Sequence, residues 1–424
     1  MNGSVRTQPQ PHSAFARTAG ARGLAAGLTV GALALGSVLA GGGPAGATAP
    51  RASVGSKTST GTAAGAGAKT ATGAVTAAKA GDLVDVTLDQ LHPTQPSIGF
   101  DQIYYKLGRY GSTKDEQAGS VNKRFDDWCE TNGQGEAATA GSGATLSDPS
   151  SFSCTVPLGE ETDETRAAMK TVVIGPGGKL YLTDGHHSLT SFLEASDGGP
   201  KTPIRLRVAA NLSDLSAADF WQTMLERKWV WLRDENNNPI TTDQLPQRLG
   251  LADFHDDRYR SLVYFTRDIG YQAPDEAAEY LEFLWGTWLR DRVDLDAYDL
   301  TSHASYLKAI RAASEAMTET DGDTVIADGR TADELGRMSE WNDGKKPTGG
   351  EFGKLSAPIT DAKPGKLAFA LDYRSRNRIP AGPTRVPTKA ANGKHAGTTT
   401  GTGLRPSLPV STAGKRPVAL VGNR

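Results

Sequence analysis

The sequence predicts an α+β fold, a small mixed sheet with helices, followed by an all-helical subdomain. Three observations carry this. Residues 83–88 alternate apolar and polar with period two, and residues 171–174 and 180–182 are β-branched or aromatic runs around Gly-Pro-Gly-Gly. From residue 216 onward apolar side chains recur instead at helical spacing. The chain of 424 residues is long enough for roughly two or three globular units, but its two ends are low in complexity. The expected organisation is a signal peptide over 1–47, a linker over 48–82, an α+β domain over 83–212, a helical subdomain over 213–340 and a disordered basic tail over 341–424, in which Lys366–Tyr373 can add a short ordered segment.

In chain order, Leu83–Leu88 suits a strand, and Pro93 and Pro96 prevent a helix directly after it. Residues 101–109 and 121–129 read as short amphipathic helices. Residues 171–182 read as a hairpin whose second strand runs straight into Thr183-Asp184-Gly185-His186-His187-Ser188, and 204–208 as a further strand. Residues 216–231 form an expected helix with Ser216 as N-cap, and 257–267, 275–292 and 302–317 repeat the pattern. The aromatic residues of 221–288 fall at helical positions and read as core.

The formal charge of −2 hides a strong asymmetry. Residues 1–81 hold seven basic and no acidic residues, 82–340 hold 24 basic and 44 acidic, and 341–424 hold 15 basic and four acidic. A core at −20 carries no strong nucleic-acid-binding signature. The basic tail is instead the expected contact for an anionic cell-envelope polymer.

Arg6, Arg17 and Arg22 precede an uncharged apolar run at 23–40 and then small residues, the order of a secretory signal, with cleavage expected after Ala47. An uncleaved anchor is the alternative, since 18 apolar residues are just long enough to span. With cleavage, no membrane-spanning segment remains and the protein is expected to be secreted or extracytoplasmic. Cys129 and Cys154 then read as one disulfide, able to contribute about 3 kcal/mol; a catalytic thiol is the sharper alternative.

Asp184-Gly185-His186-His187, between a strand and a helix, concentrates the capable groups. Gly185 permits a tight turn, and the helix start offers unpaired amides to an anion. Asp184 can orient an imidazole or cap the helix. His186 and His187 suit general acid or base work, or a hydrogen bond inside the core. No spacing names a metal site, although a divalent metal is compatible with the acidic core.

Together with these residues, Pro93-Thr94-Gln95, Lys106, Gly175-Pro176-Gly177-Gly178, Asp219-Phe220-Trp221, Asp257-x-Tyr259-Arg260-Ser261 and Glu282-Phe283-Leu284-Trp285 make the chain resemble the ParB-like nuclease family of the ParB/sulfiredoxin superfamily. The resemblance covers about 83–315. It implies an α+β domain whose loop at a helix start forms a phosphate pocket, with Gln95, Lys106, Gly185, Ser188 and Arg260 as phosphate-binding candidates and Asp184, His186 and His187 as catalytic ones. In the wider group an arginine follows the paired polar residues; here that place is Ser188, so the grip must come from Lys106 or Arg260. The expected function is an exported nuclease or phosphoester hydrolase acting on a phosphate-containing substrate. The alternative is an exported, catalytically inactive binding module whose basic tail contacts the envelope.

Overall fold

A computed structural model of the chain describes residues 75–275 and 277–380. The expected signal over 1–47, nearly all of the linker and the stretch from 381 lie outside the described residues.

The first half opens with β1 (Leu83–Thr87), β2 (Leu91–His92) and β3 (Ser97–Ile98), then α1 (Phe100–Tyr110) and α2 (Lys123–Thr131). A hairpin of β4 (Ala137–Ala140) and β5 (Phe152–Cys154) follows. The expected hairpin around the Gly/Pro turn forms from β6 (Thr171–Ile174) and β7 (Leu180–Leu182), after which come α3 (His186–Glu194) and β8 (Pro203–Asn211). Five strands make one sheet in the order β1-β8-β6-β7-β2, with antiparallel β1/β8 and β6/β7 and parallel β8/β6 and β7/β2.

The period-two pattern decides which face each side chain takes. Val172 and Ile174 join the main core with Leu206, Ile103, Leu189 and Phe192, while Val173 between them packs with Phe220 and Met224 in a second cluster. The sheet is therefore covered on both faces near β6, one by α1 and α3, the other by α4 (Ala217–Glu226).

Cys129 of α2 and Cys154 of β5 form a disulfide, with Cα atoms 5.6 Å apart. It ties the β4/β5 hairpin to the helix whose Phe125 and Trp128 pack on Phe152.

The second half is not purely helical. β9 (His255–Asp256) pairs in parallel with β3, and α5 (Arg258–Thr266), α6 (Leu281–Leu289) and α7 (His303–Glu319) precede the small hairpin of β10 (Val325–Ala327) and β11 (Arg330–Thr331). Two expected helices are shorter than their apolar spacing suggested. The 216–231 helix stops after Glu226, where Lys228 takes φ 53° and Trp229 N–H closes onto the Met224 carbonyl. The 275–292 helix begins only at Leu281, behind Tyr280 at φ 57°.

The fold also does not end at 340. α8 (Gly350–Leu355) and α9 (Lys366–Asn377) lie in what composition marked as tail. Gly, Pro and Lys around them mask two apolar sets, Phe352 with Leu355 and Leu367 with Phe369, all buried in the main core. α9 lies against α1 so closely that a Cβ on Gly108 would sit 2.4 Å from the Phe369 carbonyl oxygen, which explains glycine there. Tyr104 and Tyr373 stack at 5.6 Å, and Arg374 pairs with buried Asp101 at 3.1 Å. Residues from both expected subdomains share one core, so the described part is a single folding unit.

Candidate active site

β7 delivers Thr183 and Asp184 to the start of α3, and Gly185 makes the turn at φ 93°. A side chain there would be strained and would meet Lys170 Cγ at 2.6 Å. Gly185 and the first-turn residues His186, His187 and Ser188 of α3 border a cavity of about 490 Å³. All eight residues singled out from the sequence line it: Gln95, Lys106, Asp184, Gly185, His186, His187, Ser188 and Arg260. Convergence of residues 165 positions apart in sequence, Gln95 to Arg260, follows from the β3/β9 pairing, which brings α5 beside α1 and α3.

The two imidazoles are committed. His186 Nε2 accepts the Thr94 N–H at 3.1 Å, and His187 Nε2 accepts the Gly99 N–H at 3.0 Å. An Nε2 that accepts is unprotonated, so both rings carry their proton on Nδ1. Burial lowers the His186 pKa to about 4 against a weak opposing pull from Asp184. Burial, then Arg260 and His186, push His187 well below its ordinary value. Both rings are therefore neutral near pH 7, and each clips a loop to α3. Asp184 does not orient either ring: its carboxylate pairs with Lys170 at 3.2 Å and accepts the Gly185 N–H at 2.6 Å.

Positive charge gathers around the same cavity. Lys106 pairs with Asp127 at 2.7 Å, and Arg260 donates to Gln102 at 3.2 Å. Arg260 and Arg267 both face Glu282, at 3.6 Å for Arg260, with Arg267 donating directly to the carboxylate. Burial raises the Glu282 carboxyl, but the two guanidinium groups outweigh it and hold the group below its ordinary pKa. Gln95 is spent on the Ser97 carbonyl at 2.8 Å. Ser188 borders the cavity, and Arg260 and Lys106 reach it from α5 and α1.

Lys170 and Arg267 were not singled out by sequence reasoning, and Glu282 entered only as part of a motif of the resemblance, with no role at the site. Arg267 had a signal, seven residues after Arg260 and hence on the same helical face. Lys170 had none. Glu279 also lines the cavity, and burial followed by the charge of Asp184 raises its carboxyl. No cluster of three metal-capable side chains occurs among the described residues.

Residues 84–291, just under half of the chain, match the family described as "Putative ParB-like nuclease". Among solved structures, protein Atu1540 from Agrobacterium tumefaciens matches at 20% identity and a TM-score of 0.37, over 56% of this chain and 93% of that one. No curated protein matches the chain. No helix among the described residues is long and apolar enough to cross a membrane.

Proposed function

We propose that the cavity at the start of α3 binds the phosphate group of a phosphate ester outside the cytoplasm, and that the histidines build the site without transferring protons. The observation that carries this reading is the combination of four cations bordering the helix start with two imidazoles already engaged by backbone amides. The excess of acid over base across residues 82–380 argues for a compact ligand over a nucleic-acid polymer. Export rests on the apolar run at 23–40, and residues 381–424, with seven basic and no acidic side chains, supply the contact to an anionic envelope polymer.

Calorimetric titration of the full chain with inorganic phosphate tests the reading. Binding is expected, weakened at least about tenfold in Arg267→Gln. Equal affinity of wild type and variant, or no binding, overturns it.

Hydrolysis of the ester is the second reading, favoured by Glu279. It lines the cavity, and burial with the charge of Asp184 raises its carboxyl, the property of a group that hands a proton to a leaving oxygen. A phosphodiesterase or phosphatase activity abolished in Glu279→Gln but kept in His187→Gln would support this assignment over a histidine base.

A further inference from the structure

A second cavity of about 360 Å³ adjoins the first, and Glu279 and Tyr280 line both. Its wall is mixed: Lys228, Arg233, Asn237, Thr287 and Asp328 form one part and apolar side chains the other. Val230, Trp231, Leu284 and Ile326 supply apolar surface, and Leu225 stands 49% exposed on its border. The Trp231 ring lies 5.5 Å from Tyr280 and 5.1 Å from Phe283, and Phe283 itself borders the first cavity. Three neighbouring aromatic rings thus run from the cationic chamber to the apolar side of the second cavity.

The backbone around this second cavity is held in a costly conformation. Lys228, Asn237, Tyr280 and Asp328 have φ between 51° and 66°, and all four line it. Asn and Asp tolerate the left-handed region, whereas Lys and Tyr adopt it against a steric cost, a feature that gathers at ligand clamps. Two of them, Lys228 and Asp328, pair at 2.5 Å and join the end of α4 to the β10/β11 turn beside the cavity.

We propose that this second cavity seats an aromatic ring borne by the same ligand whose phosphate enters the first. The inference rests on the phosphate reading and narrows it to phosphate esters of aromatic alcohols. Tyr280 separates the two parts of the ligand, and Trp231 offers the ring a partner face. Burying one ring is expected to tighten binding about tenfold or more over phosphate alone.

The full chain is titrated in parallel with inorganic phosphate, phenyl phosphate, 4-phenylbutyl phosphate and 4-phenylbutanol. At least one ester should bind about tenfold more tightly than inorganic phosphate. Ala327→Trp, which fills the second cavity, should remove that gain while leaving inorganic phosphate affinity unchanged. Leu225→Glu, at a half-exposed position that does not put folding at risk, should reduce the gain as well. Phosphate binding with no gain for either ester, or a gain untouched by both variants, overturns the ring seat and leaves the phosphate reading standing. Binding of 4-phenylbutanol that is lost in Ala327→Trp, with no binding of phosphate, upholds the ring seat and overturns the phosphate reading.

Discussion

Arg374 Nη1 lies 3.1 Å from Asp101 Oδ1 inside the protein, and the Tyr306 hydroxyl donates to the other carboxylate oxygen at 3.0 Å. α1, α7 and α9 meet at this triad. Removing one member leaves a buried charge alone, so Arg374→Ala should cost about 3–5 kcal/mol in chemical denaturation. Asp101→Asn combined with Arg374→Met should recover most of that. A double variant no better than the single would show that the loss is one of packing.

His186 should make stability depend on acid. Its folded pKa of about 4 lies below its ordinary 6.5, so the unfolded chain takes the proton first as pH falls. Its contribution is complete above 6.5 and is lost as pH drops from there toward 4. Between about pH 7 and 5 the wild type should lose about 2 kcal/mol that His186→Gln, which keeps an acceptor for the Thr94 N–H, does not lose. Parallel loss in both proteins would remove His186 from the account.

Asp256 works in the opposite sense. Burial, followed by the charge of Asp101, raises its carboxyl to about 8, and its Oδ1 accepts the Phe100 N–H at 3.0 Å. A folded value above the ordinary 3.8 means stability present below 3.8 and lost as pH rises toward 8. Asp256→Asn retains the acceptor and removes the charge, so it should gain at least about 1 kcal/mol at neutral pH, shrinking in acid. Thermal melts across this range decide the point; a loss at neutral pH would contradict it.

Glu282 competes with any anion for Arg260 and Arg267. Glu282→Gln should therefore tighten phosphate binding several-fold and steepen its dependence on salt, read by calorimetry at two ionic strengths. Weaker binding would mean that the carboxylate's main service is to aim the two guanidinium groups.

The strands and the loop at Gly185 were legible because period two, the Gly/Pro turn and the Asp-Gly-His-His run are local signals. Convergence of Lys106 and Arg260 with that loop was expected only through the family resemblance. The fate of the imidazoles could not be read, since an accepting Nε2 depends on where Thr94 and Gly99 lie after the sheet has formed. α9 was expected only as a short ordered segment over 366–373, not as a helix of the core, for a related reason. Leu367 and Phe369 are too few to mark a helix until α1 offers them a surface, and Gly108, the residue that permits the contact, reads in sequence only as a weak spot in a helix.

The packing of α9 on α1 sets an order of events during synthesis. Asp101 is made early, yet its partner Arg374 emerges 273 residues later. Until then α1 lacks both its apolar cover and its counter-charge, so the main core cannot close around a nascent chain. Among the described residues the core therefore closes only after α9 has been made, so their folding is completed late in translation.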